Sequence, residues 1–229
     1  DKFVRLWHEV SKFKSSYDIE LNNPNFMKSK WFPYNKGGKH RRWYGNLELL
    51  VNWENDGHLI RNNSDEFGRI RSRPQNIRYY FKPGITWSDI TTSSFAARFS
   101  SEGNIFDVKG SSAFPPKENF ATILSLMNSK VFFEFMSCIN PTSTFQVGDI
   151  SRVPVKVIEE DLLNKNTTLL IQYAREDWNA YEISWDFSVL SILSPHYRKT
   201  TLQKTYEELR NYWQEKTDEM ILLEESNNR

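Results

Sequence analysis

The chain has 229 residues, a net charge of +1, 38% apolar and 26% charged residues, a balance that excludes a disordered tail and matches a soluble globular chain with a sizeable core. One cysteine, Cys138, excludes an internal disulfide or a multi-cysteine zinc site, and its apolar surroundings point to a buried, inert thiol in a reducing cytoplasm. No apolar run approaches the ~20 residues of a membrane span, and no signal peptide is present.

In chain order, Phe3, Val4, Leu6, Trp7 and Val10 predict a short amphipathic helix over 3–12, already patterned at Asp1 as in a piece excised from a longer polypeptide. Extended segments are predicted at 47–53, 77–82, 95–99 and 104–109, each rich in β-branched or aromatic residues and bounded by Gly, Asn, Ser or Pro. The stretch 119–139 reads as one buried core helix, with Asn119 as its cap, Phe120, Ile123, Leu124, Met127, Val131 and Phe135 inward, and Pro141 beyond its end. A further extended piece is predicted at 153–158. Leu202, Tyr206, Leu209, Trp213, Met220 and Leu223 then step by three or four, which predicts a long amphipathic C-terminal helix.

Catalytic motifs are missing. The sequence holds no G-x-G-x-x-G, P-loop, H-E-x-x-H or G-x-S-x-G, and His8, His40, His58 and His196 are scattered. Glu54, Asp56, Asp107 and Asp149 lie near turns, where capping is their expected role. Asn140-Pro141 lacks the second proline and aromatic of an amino-methyltransferase site, so no catalytic residue, cofactor-binding residue or metal ligand is assigned.

Binding chemistry is what remains. Between Lys28 and Arg98 basic residues outnumber acidic ones roughly two to one, while acids lead beyond Val157. Residues 30–57, KWFPYNKGGKHRRWYGNLELLVNWENDG, combine Trp31, Trp43 and Trp53 with Lys36, Gly38, Lys39, Arg41 and Arg42. Such a run suits an aromatic core edge with a solvated basic loop, a nucleic-acid surface, or a sugar platform. For phosphate, Lys and Arg supply charge and Gly38 lets backbone N–H groups approach closely. In RIRSRPQNIR, Arg69, Arg71 and Arg73 alternate, so an extended chain turns all three guanidiniums to one face.

The stretch 30–57, then YYFKPGITWSDITTSSFAARFSSEGNIFDVKGSSAFP at 79–115, NPTSTFQVGDISRVPV at 140–155 and REDWNAYEISWDF at 175–187 resemble, in this order, a block of the BREX phage-defence adenine-specific DNA methyltransferases (the PglX family) and the related type IIG restriction-modification enzymes. The opening DKFVRLWHEV resembles the segment that joins their methyltransferase and specificity regions. The resemblance implies an α+β target recognition domain, similar to those of type I specificity subunits, with mixed or antiparallel strands, a buried central helix and a long C-terminal amphipathic helix. It implies a linker helix within 1–25, recognition of double-stranded DNA by 26–158, and a helical segment over 159–229. S-adenosylmethionine, the Asn-Pro-Pro-Tyr-type catalytic motif and the methyl transfer to adenine N6 would belong to a methyltransferase domain preceding Asp1. Expected partners are double-stranded DNA, that domain and other defence-system proteins, with no membrane. The alternative is a separate type I-like specificity subunit that binds a catalytic chain, and an RNA- or carbohydrate-binding domain stands third.

Family members read different sequences, so the shared motifs suit backbone contact and fold. Lys36, Gly38, Lys39, Arg41 and Arg42 are therefore assigned to the DNA backbone, braced by Trp31, Phe32, Trp43 and Trp53 as one packed edge, with Trp87 as core or loop support. Base readers fall where the likeness fades, at 58–76: Arg61, Asn62, Asn63, Arg69, Arg71, Arg73 and Gln75, types that pair bidentately with guanine or adenine.

Overall fold

The computed structural model describes residues 2–17, 28–92, 94–156 and 161–228, and its architecture is α+β. β2 (Trp31–Asn35) and β3 (Leu49–Asn52) are antiparallel, with Phe32 opposite Val51, and the aromatic residues of β2 with the branched residues of β3 suit a pleated, half-buried surface. β1 (Val4–Leu6) adds antiparallel to β3, and β6 (Ile105–Phe106) adds parallel to β2, giving the order β1-β3-β2-β6. A second sheet has the order β5-β4-β7, from β4 (Gly84–Trp87), β5 (Ala97–Ser100) and β7 (Ser112–Ala113), all antiparallel.

Each sheet carries its own core. Phe32, Val51, Trp53, Tyr80 and Ile105 form one cluster on the first sheet. The larger cluster joins Trp43, Ile85, Trp87 and Ala97 to Leu124 and Met127 of α2 (Phe120–Met127), Phe132 and Met136 of α3 (Lys130–Ile139), and Leu170, Ala174 and Trp178 of α5 (Asp161–Asn179). Between sheet and helices, Asn128 replaces a missing ladder partner: its Oδ1 accepts from Ala97 N at 3.0 Å and its Nδ2 donates to Ala97 O at 3.0 Å. The remaining helices are α1 (Glu54–Arg61), α4 (Val147–Ile150) and α6 (Leu202–Asn227). α1 begins irregularly, because Asn55, Asp56 and Gly57 all have positive φ, a conformation these three residue types tolerate best.

Several expectations need correction. No helix forms over 3–12: Val4–Leu6 pairs with β3, and single-turn 3-10 helices follow at Trp7–Glu9 and Lys12–Lys14, because a helix this short is marginal by itself while β3 offers an edge that pairs with this segment. The expected helix within 1–25 is thus not seen in 2–17, and 18–25 lie outside the described residues. The segment 77–82 is a 3-10 turn, entered from Asn76 in the left-handed conformation. The expected single helix 119–139 breaks at Asn128-Ser129, where the Ser129 hydroxyl accepts from Phe132 N and caps α3 afresh, turning Val131 and Phe135 outward and leaving Cys138 exposed rather than buried. Asn119 precedes α2 without a side-chain cap bond. Of 153–158, residues 153–156 form no strand, and 157–158 lie outside the described residues.

α6 lies on α5, and its inward stripe is Leu209, Trp213, Met220 and Leu223, while Leu202 and Tyr206 are exposed. Its C-terminal end reaches the α2–α3 junction, where Asn227 Nδ2 donates to Ser125 Oγ at 3.3 Å and Asn228 Oδ1 accepts from Lys130 N at 3.1 Å. α5 falls within the helical segment expected over 159–229, although no periodicity is assigned to its own residues. Its apolar face is interrupted by Asn166, Thr167 and Tyr173, whose polar atoms are satisfied only by partners on α2 and α6.

Candidate nucleic-acid interface

The segment after β2 divides into a loop tip and an anchored return. Lys39 is exposed with no side-chain partner among the described residues. Gly38 N–H donates to Ser88 Oγ at 3.0 Å, so it is spent inside the chain, and a Cβ at Gly38 would stand 2.6 Å from Asn46 Cγ. Its lack of a side chain serves close packing here, not the approach of a phosphate.

Arg41 and Arg42 are likewise engaged within the chain. Arg41 Nη2 pairs with Asp177 of α5, and its guanidinium stands 5.1 Å from the Trp178 ring centroid. Arg42 Nη1 lies 2.8 Å from Glu224 Oε2 of α6, and Trp43 Nε1 donates to the other oxygen of that carboxylate at 2.7 Å. The return is stitched to the second sheet by Trp43 N to Ala97 O at 2.9 Å and Phe99 N to Trp43 O at 2.8 Å. Beneath it Arg98 is 2% exposed, its Nε unpartnered, and burial together with the nearby Arg41 charge pushes its guanidinium down to about 10.

The tryptophans do not form one edge. Trp43 belongs to the larger core and Trp53, with Phe32, to the smaller one. Trp87 is 1% exposed and donates to Phe145 O at 2.8 Å, which makes it a core residue.

The segment 58–76 is sorted by its own hydrogen bonds. Arg61 pairs with Asp56 at 2.6 Å and stacks on Trp53; Asn62 Nδ2 donates to His58 O at 2.9 Å; Asn63 Nδ2 donates to Ser72 Oγ at 2.8 Å. A small hairpin follows, with Ser64 bridged to Ile70, and Asp65 Oδ1 accepts from both Phe67 N and Arg69 N, closing the turn. Arg71 Nε is 3.7 Å from Asp65. Beyond it, Arg71, Arg73 and Gln75 are exposed while Ser72 and Pro74 between them are half-buried, the alternation of an extended chain lying on the protein. Arg69, Arg73 and Gln75 have no side-chain partner among the described residues. Sequence reasoning grouped seven candidates, and the structure leaves these three unengaged.

Other polar groups resolve into architecture. Asp107 Oδ1 accepts from Lys109 N and Gly110 N, closing a turn, and its Oδ2 accepts from Tyr34 Oη at 2.6 Å. Asn140 bonds to Asp149 and Thr142, as a turn residue would. Among the described residues no cluster of three or more His, Cys, Asp or Glu could hold a metal, and no helix is long and apolar enough to cross a membrane.

No family model matches the chain. It is homologous over its whole length to adenine-specific methyltransferases. It is 36% identical over 222 residues, 95% of the chain, to the adenine-specific methyltransferase PglX of Lacticaseibacillus casei (strain Zhang), and 33% identical over 231 residues, all of the chain, to the adenine-specific methyltransferase BrxX of Escherichia coli O9:H4 (strain HS). The chain spans 18% of the length of each of these curated relatives.

Proposed function

We propose that this chain is the double-stranded DNA recognition module of an S-adenosylmethionine-dependent adenine-N6 DNA methyltransferase that acts in phage defence, BREX or type IIG in kind. The observation that carries the reading is the exposed row Arg69, Arg73 and Gln75, three bidentate-capable side chains without partners in a chain homologous to adenine-specific methyltransferases. Lys39, exposed and without a side-chain partner among the described residues, is assigned a phosphate contact, and the Arg41 and Arg42 pairs fix the basic loop to α5 and α6. Base contact gives sequence choice, and phosphate contact gives register.

Gly37 and Gly38 pack against Lys109 and Asn46, so the one double glycine forms no open cradle of backbone N–H groups. We assign the donor and the transfer step to the methyltransferase domain of the parent polypeptide, the partner against which this module would clamp DNA. Other defence-system proteins remain expected partners. A separate specificity subunit is not favoured, because both relatives carry the matching segment within a methyltransferase chain.

The test is genome-wide mapping of methylated adenines in cells that express the intact methyltransferase with Arg69→Ala, Arg73→Ala or Gln75→Ala. At least one variant is expected to change the methylated motif, since losing a bidentate pair removes roughly 1–3 kcal/mol of discrimination. Three variants that methylate the original motif, only less, would overturn the assignment of base reading to this row.

A further inference from the structure

A cavity of about 510 Å³ opens beside the first sheet, within the size range of small-molecule sites, about 300–1,000 Å³. Its apolar wall includes Val51 and Ile105, and its aromatic surfaces are Tyr34, Trp53, Tyr80 and Phe106. Tyr80 braces two of them edge-on, with ring centroids 5.0 Å from Trp53 and 5.2 Å from Phe106. Arg73, Gln75 and Asn76 line the same cavity from the exposed segment, and their side chains have no partner among the described residues.

One further atom stands out. Trp53 is 3% exposed, yet its Nε1–H has no hydrogen-bond partner, a condition that costs free energy in a buried donor unless something else accepts from it. The Tyr80 hydroxyl is also unpartnered among the described residues, and burial and the nearby Asp107 charge push it up to about 12. The cavity therefore combines aromatic faces, one buried donor without an acceptor, the Tyr80 hydroxyl, two amides able to donate and accept, and a cation at the exposed end.

We propose that this cavity takes a single nucleotide, its heteroaromatic base among Trp53, Tyr80 and Phe106 and its phosphate beside Arg73. Aromatic side chains stack on or edge against a base, the amides of Gln75 and Asn76 pair with its edge, and the guanidinium meets the phosphate. The nucleotide comes either from solution or from a bound duplex as an extrahelical residue; the second source rests on the proposed function.

Calorimetry on this chain distinguishes the outcomes, with dAMP, deoxyadenosine, a paired duplex, and the same duplex carrying one bulged adenosine as probes. The expected results are saturable dAMP binding, weakened about three- to tenfold by Trp53→Phe, which deletes the indole N–H and keeps a smaller aromatic ring in its place. Arg73→Ala is expected to weaken dAMP but not deoxyadenosine. Cooperative thermal unfolding will show that both variants fold, with an unchanged midpoint expected for Arg73→Ala and a lowered one for Trp53→Phe, which leaves a void in the smaller core. A preference for the bulged duplex that Trp53→Phe abolishes supports the extrahelical source, and dAMP binding without that preference supports a free nucleotide. Binding of dAMP without any duplex binding supports the cavity and sinks the DNA reading. Neither dAMP binding nor a bulge preference overturns the inference, even where the paired duplex binds and the proposed function stands. Binding of dAMP that neither variant changes also overturns it.

Discussion

Arg42 and Glu224 are 182 residues apart in sequence, and their side chains meet at 2.8 Å. The same carboxylate takes the Trp43 indole N–H at 2.7 Å, so one acidic group ties the basic loop and the larger core to α6. A run of cations that reads as a DNA contact in sequence is in part the socket of the C-terminal helix.

Glu224→Ala is therefore expected to cost more than Arg42→Ala. The first leaves a buried indole donor unpaired, about 1–3 kcal/mol, whereas the second removes a partly exposed ion pair of at most about 1 kcal/mol. Urea unfolding of both variants checks this. Equal losses would show that the Trp43 bond contributes nothing.

Salt dependence separates phosphate contacts from structural pairs. Lys39→Ala is expected to flatten the slope of log K against log salt for duplex binding by about one unit. Arg41→Ala with Arg42→Ala should lower stability and leave that slope unchanged in the folded fraction. A slope flattened by about two units in the double variant would place both guanidiniums on phosphate.

Trp87→Ala should abolish most folded yield without altering which sites are methylated. Its side chain is 1% exposed and bonded to Phe145 O, and removal of a buried tryptophan costs about 3–5 kcal/mol. Near-native yield with a changed methylation motif would contradict a core role.

Acid should loosen α6 from α5 through Glu219. The Tyr173 hydroxyl donates to it at 2.7 Å and Lys216 stands 3.4 Å away, which holds its carboxyl below the usual range of about 4.3. Because the folded state binds this proton less readily than the unfolded state, the stabilisation is complete above the ordinary carboxylate pKa and is lost as pH falls through the lowered one. Urea midpoints measured down through that range should fall more steeply in the unmodified chain than in Glu219→Gln. Parallel acid limbs would show that the contact does not persist in solution.

Cys138 should react with a thiol reagent in the native chain at a rate close to that of the unfolded chain. It is exposed on the outer face of α3, so access does not require unfolding. Strong native protection would indicate that something covers this face.

The sequence by itself determined the features whose cause is local. The three- and four-residue steps of α6, the branched residues of β3 and the concentration of basic side chains between Lys28 and Arg98 all follow from neighbours along the chain, whereas the α+β class is implied by the family resemblance. Tertiary structure decided what depends on distant partners. Val4–Leu6 is a strand because β3 lies beside it, and the central helix restarts at Ser129 because Asn128 turns to the Ala97 backbone. Arg41 and Arg42 are drawn inward by Asp177 and Glu224, while Arg69, Arg73 and Gln75 stay unengaged because no acidic or carbonyl group folds against them among the described residues. Sequence specifies which side chains can donate charge or hydrogen bonds. Only the fold, by bringing acceptors from more than a hundred residues away, determines which of those donors remain for a ligand.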